Sequence, residues 1–180
     1  MKSFNQELKS ALVAEIRKHR EQDQVIQGNY GTKESGIFRG CAVGCAIDSL
    51  FVIGGHDTPY YLCADHGIYD RELGIPRILA ELQDVIHEGL SDESFPTWPE
   101  RFMEAVPTET DLSKVWAKFI IWLVGAFLAE KQRIVVDQNR ADMDKIMRDA
   151  ANSSGLDIKE QFYEKCAEKL IELLKAEGDE

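Results

Sequence analysis

The chain lacks a long apolar run. Its longest uncharged stretch, Phe119 to Ala129, is well below the ~20 residues that a membrane-spanning helix requires. The first residues, Met1-Lys2-Ser3-Phe4-Asn5-Gln6-Glu7, carry no apolar core of the secretory kind. Both absences point to a cytoplasmic protein with no membrane partner. Positive charge is also in the minority: 21 lysines and arginines face 32 aspartates and glutamates, for a net charge of -11. Phosphate neutralisation needs a basic stripe, so general nucleic-acid binding is disfavoured, as is adhesion to an anionic bilayer. Cysteine is sparse, at 4 residues. A disulfide framework belongs to small secreted domains, so reduced thiols are expected. Internal repeats and low-complexity tracts are missing too, and no motif specifies a reaction.

What is present is enough chain for one core. A domain of 180 residues buries roughly 70% of the surface that its unfolded chain would expose, and residues 1–180 are expected to form one domain. Its least charged cysteine-bearing segment is Gly40-Cys41-Ala42-Val43-Gly44-Cys45-Ala46-Ile47-Asp48-Ser49-Leu50-Phe51. As a helix, this places Cys41, Cys45 and Asp48 or Ser49 on one side, and Val43, Ile47 and Leu50 on another. Gly40, Ala42, Gly44 and Ala46 admit a close approach by a second backbone or a ligand. Glycine in a helix interior costs about 1 kcal/mol against alanine, so Gly44 implies a packing or functional reason. A thiol in the first turn feels the positive end of the helix dipole, which lowers its pKa and makes Cys41 the better nucleophile. The competing expectation is that both cysteines are buried apolar packers.

Taken in order, Phe4, Leu8, Leu12 and Ile16 predict a helix over 4–20, opened by Ser3 with Gln6. Turn residues around Tyr30 make 25–38 the one place for a hairpin. Gly54-Gly55 ends the cysteine helix, and Gly74 and Pro76 mark a tight joint between two helices. Ile78, Leu79, Leu82, Val85 and Ile86 give the next helix its apolar face, and Pro99 opens a short one. The stretch from Asp111 to Ile134 is apolar on nearly every side, which predicts a buried central spine. An exposed helix is expected over 137–151, and a last amphipathic one after Asp157 with Phe162, Cys166 and Leu170. The expectation is an all-α, single-domain bundle of about seven helices around one central apolar helix.

Four strings, Gly40-Cys41-Ala42-Val43-Gly44-Cys45, Glu72-Leu73-Gly74-Ile75-Pro76, Glu88-Gly89-Leu90 and Trp98-Pro99-Glu100-Arg101-Phe102, resemble a group of uncharacterised bacterial and phage proteins over about residues 25 to 125. The group has no established activity, and the resemblance implies a compact cytosolic domain. Its members carry a histidine shortly after the second cysteine, where this chain has Asp48, and a shorter connection to the Tyr69 segment.

Three chemistries compete for the same region. Cys41, Cys45, His56, Cys63 and His66 are ligand types that tetrahedral zinc prefers, but paired cysteines with two residues between them are absent, and no metal is expected. Cys41 as nucleophile, His66 or His56 as base and Asp70, Asp65 or Asp57 as orienting acid would make a thiol hydrolase or transferase. Alternatively, Tyr30, Tyr69 and neighbouring aromatics, with Gly40, Cys45, Arg71, Arg77 and Arg101, would line a pocket for a small anionic molecule or a protein partner. Binding is the favoured expectation, without a cofactor and with homo-oligomerisation open. The site is placed near Gly40, Cys41, His66 and the Tyr69–Arg77 joint. His19 and His87 are assigned structural roles at helix ends.

Overall fold

A computed structural model describes residues 4–128 and 159–179. Within them the chain is an all-α bundle with one two-stranded hairpin. The first helix, α1 (Gln6–Glu21), starts where the Asn5 side chain accepts the Leu8 N–H at 2.9 Å, so Asn5 satisfies one of the orphan donors of the first turn. Leu12, Val13, Ile16 and His19 form its buried stripe. Strands β1 (Thr32–Glu34) and β2 (Ile37–Arg39) pair antiparallel, and both turn residues, Ser35 and Gly36, have positive φ. That backbone matches the twist of a tight hairpin.

The second helix, α2 (Ala42–Ile53), is the centre of the bundle, because every residue from Ala42 to Ser49 is buried. The joint that follows contains a π-helical turn, Tyr69–Leu73, closed by Gly74 in the left-handed region (φ 66). Pro76 then caps α3 (Arg77–Gly89). After it come α4 (Trp98–Ala105), α5 (Val115–Leu128) and α6 (Lys159–Gly178). α1 packs on α2 and α4, while α6 lies across α3, α4 and α5.

Among the described residues the most deeply buried helix is therefore α2. The described side chains of α5 bury a stripe, Val115, Phe119 and Leu123, and leave Ile121 73% exposed; the rest of the spine expected over Asp111–Ile134 lies outside the described residues. Apolar composition identified a helix there, but α2 is central because its small residues let neighbours approach from all sides. The exposed helix expected over 137–151 and the cap at Asp157 lie outside the described residues.

α6 is seated by a missing side chain. A Cβ on Gly89 would stand 2.2 Å from the Tyr163 ring, and Tyr163 is itself buried. Gly89→Ala is expected to destabilise the fold by about 1–3 kcal/mol, the range for overpacking, as a lower midpoint in urea unfolding. An unchanged midpoint would mean that the α3–α6 contact is looser than described.

Candidate functional site

The start of α2 is a notch. The carbonyl oxygen of Tyr30 lies 1.5 Å from where a Cβ on Gly44 would be, and 2.5 Å from one on Gly40. Only glycines four apart allow the 27–31 loop to lie against this helix so closely. Hydrogen bonds fix the loop on both sides. The Cys41 N–H donates to Asn29 O at 2.8 Å, the Gly28 N–H to Glu88 Oε2 at 2.8 Å, and Gln27 Nε2 to the carbonyls of His87 (2.6 Å) and Leu90 (3.0 Å). The loop thus ties the head of α2 to the tail of α3 and sets Tyr30 over the gap between them.

That gap is narrow, walled by the buried Cys41, Tyr69 and Gln83, and centres on Asp84, which is 9% exposed. Its carboxylate faces the Tyr30 hydroxyl and the Cys41 thiol, and its Oδ2 lies 3.4 Å from His66 Nε2. The Tyr30 and His66 rings meet edge to face with centroids 5.7 Å apart. Behind them, Tyr69 is fully buried and donates its hydroxyl to Gln83 Oε1 at 2.8 Å. Trp98 Nε1 donates to Gln83 O at 2.9 Å, holding that turn of α3 in place.

Four buried side-chain atoms have no hydrogen-bond partner among the described residues: His66 Nε2, Gln83 Nε2, Asp84 Oδ1 and His87 Nδ1. All belong to one turn of α3 or to the imidazole against it. Buried polar groups are ordinarily satisfied, and each one left bare costs about 1–3 kcal/mol. His87 shows what is missing. Its Nε2 faces Ile26 O at 3.0 Å, which makes Nε2 the protonated nitrogen, and burial holds the ring's pKa below its usual value. Nδ1 is then an acceptor that awaits a donor.

The electrostatics of the gap are negative. Burial raises Glu88 above the usual carboxylate range, and the neighbouring Asp84 charge adds to the shift. Burial, and then Asp84, likewise hold the Tyr30 phenol well above its usual 10.0. The expectation of an activated thiol is corrected by the same forces. Burial and then Asp84 push Cys41 far above its usual 9.0, and the N–H groups of Gly44 and Val43 pull it down by less. The helix start is present, but dehydration opposes the thiolate more strongly than the dipole favours it.

Of the residues expected to form the site, Cys41, His66, Tyr30 and Tyr69 come together here, and Gly40 forms part of the notch. Cys45 sits behind the site in a separate cluster with Cys63, Val25 and Phe38. Asp70 is exposed on the π-helical turn, so the acid beside Cys41 and His66 is Asp84. The three arginines do not converge. Arg71 pairs with Asp65 at 2.5 Å, Arg77 with Glu81 at 2.7 Å, and Arg101 with Glu164 at 3.7 Å. Gln83 and Asp84 escaped the sequence reading because Leu79, Leu82 and Ile86 already accounted for the helix. The signal was a second, polar stripe of Gln83, Asp84 and His87 one turn long. Among the described residues, no three His, Cys, Asp or Glu side chains stand where they could hold a metal ion.

A separate groove of about 780 Å³ runs between α1, the end of α2 and residues 62–72. Leu8, Ala11, Leu50, Phe51 and Ile68 line it, and Arg71 stands at its side. The π-helical turn divides it from the Asp84 gap: Tyr69 and Leu73 are buried, while Arg71 and Glu72 are exposed.

The thiols make the stability depend on pH. Burial holds all four above the usual 9.0, with Cys63 pushed up to about 11. An unfolded chain releases these protons near 9, whereas the folded one keeps them. Rising pH therefore favours unfolding, by up to ~1.4 kcal/mol per pH unit for each thiol. Urea midpoints are expected to be flat in this respect below pH 8 and to fall from about pH 9 upward. An alkaline limb that rises would contradict the burial of these sulfurs.

No helix among the described residues is long and apolar enough to cross a membrane. Compared with family models, curated proteins and solved structures, the chain has no match in any of the three.

Proposed function

We propose that the chain is a binding module whose site is the gap around Asp84, and that it takes a small molecule bearing a cationic, hydrogen-bond-donating group such as a guanidinium or an ammonium. The observation that carries this is the bare, buried acceptor Asp84 Oδ1, with further unpartnered polar atoms on the same turn of α3 and on His66, in a setting where carboxylates outnumber cations. A donor group reaching Asp84 beside the Tyr30–His66 ring pair would satisfy Asp84 Oδ1 and relieve the repulsion between Asp84 and Glu88. The anionic ligand expected from Arg71, Arg77 and Arg101 loses its support, because each guanidinium has an acidic partner elsewhere. Titrating the protein with methylguanidine, ethylamine, acetate and phosphate tests this. The two cations should raise the melting temperature with the logarithm of concentration, by about 1.4 kcal/mol of stability at ten times Kd. Stabilisation by the anions alone would overturn the proposal.

A second reading, thiol transfer or hydrolysis at Cys41, is favoured by one feature. The sulfur receives the Gly44 and Val43 N–H groups at the start of a helix, an arrangement that would stabilise a thiolate once the site is occupied by a cation. Loss of a turnover signal in Cys41→Ser would support it. Unchanged ligand binding in that variant would leave binding as the role of the site.

A further inference from the structure

A second hollow, of about 280 Å³, opens between the end of α1, the hairpin and residues 56–58. It reaches α2 at Asp48, two turns along from Cys41, about 10 Å down the axis. Three polar side chains on its wall are almost out of water: His19 is 7%, Gln24 9% and Asp48 8% exposed. His19 Nδ1 is 2.5 Å from Gln24 Oε1, its ring packs edge-on against Phe38, and its Nε2 faces Asp48 Oδ2 at 3.4 Å. Thr58 Oγ1 donates to Asp48 Oδ1 at 2.5 Å. Oδ1 is thereby satisfied. The neighbour of Oδ2 lies beyond full hydrogen-bond length, which leaves that oxygen room for a further donor.

The rim supplies two other kinds of contact. Lys33 pairs with the exposed Asp57 at 2.9 Å and lies within electrostatic reach of Asp48. Ile37 and Val52, both on the lining, are 51% and 49% exposed, although large aliphatic side chains are usually inside. A buried acceptor, a cation and an apolar lip around a hollow near the ~300 Å³ lower end of ligand pockets are the elements of a small-molecule site.

We propose that this hollow binds a free α-amino acid with an aliphatic side chain. The ammonium donates to Asp48 Oδ2. The carboxylate takes the Lys33 ammonium from Asp57, an exchange that costs little because exposed ion pairs contribute about 0–1 kcal/mol. The side chain covers Ile37 and Val52. Either end alone is disfavoured: a simple amine meets the charge of Lys33, and a simple acid meets that of Asp48.

Calorimetric titration of the full chain with L-leucine, 3-methylbutylamine and 4-methylpentanoate tests this directly. Leucine should bind at one such site at least tenfold more tightly than either matched fragment. Lys33→Ala and Val52→Lys alter exposed side chains. Each should weaken leucine at least tenfold with an unchanged circular dichroism spectrum and melting temperature, and with unchanged methylguanidine binding at the Asp84 gap. Absent leucine binding, an amine that binds as tightly as leucine, or leucine affinity untouched by both variants would overturn the proposal.

Discussion

Gly44→Ala is expected to destabilise the protein by about 3 kcal/mol or more, at or beyond the upper end of overpacking costs. In an isolated helix the same change would stabilise by about 1 kcal/mol, so the two effects have opposite signs and the measurement decides between them. The added Cβ would stand 1.5 Å from the Tyr30 carbonyl oxygen and 2.7 Å from its carbonyl carbon. These are backbone atoms, and no rotamer change moves them away. The 27–31 loop would have to lift off α2, breaking its bonds to Cys41, Glu88, His87 and Leu90 and taking Tyr30 from Asp84. Gly125, in α5, has no neighbouring atom among the described residues within 4 Å of its own missing Cβ and provides the control. Gly125→Ala should follow propensity and stabilise by roughly 0.5–1 kcal/mol. A thermal melt reads both. At about 2–4 °C per kcal/mol for a chain of this size, Gly44→Ala should melt at least about 6 °C lower. A Gly44→Ala protein that melts as high as wild type would show that the loop does not occupy the notch.

Asp84→Asn should weaken methylguanidine binding by about 3 kcal/mol, on the order of a hundredfold, because the charge that faces the ligand's donors is gone. The isosteric amide fills the same space, so the unfolding free energy in urea should change by less than about 1 kcal/mol. The variant also has an effect that a purely structural role for Asp84 would not produce. Asp84 is the second-largest cause holding up the Cys41 thiol, so its neutralisation should lower that pKa while burial keeps it above 9.0. Cys41 thiolate absorbance in the ultraviolet, read as the difference from the matching Cys41→Ser protein, should therefore appear at lower pH than in the wild type. Methylguanidine affinity equal to wild type, with an unchanged thiol titration, would remove Asp84 from the site.

Much of the architecture was legible in the residues. The caps and joints at Gly54, Gly74, Pro76 and Pro99 are local chemistry, and local chemistry survives folding. The glycines at 40 and 44 correctly announced a close approach, although nothing in their spacing said that the visitor would be the Tyr30 carbonyl. Depth was harder to read, because hydropathy scores a helix by what it carries, whereas burial depends on how closely others can reach it. Among the described residues the small-residue α2 is buried more deeply than the tryptophan-bearing α5. At the site, Cys41, His66, Tyr30 and Tyr69 could be picked out by type. Asp84 could not, since its role depends on a contact between residues 43 apart in the chain, and Asp70 was nearer in sequence. The arginines misled for the same reason: each is neutralised by an acid that only the fold brings to it, or that sits one helical turn away, as Glu81 does for Arg77.

The most direct measurement of the central claim is a crystal structure of the full chain soaked in methylguanidine. The account predicts planar density beside the Tyr30–His66 ring pair, with a nitrogen within about 3 Å of Asp84 Oδ1 and the guanidinium stacked or edged against an aromatic ring. An Asp84 carboxylate with no ligand density beside it at saturating methylguanidine would contradict it.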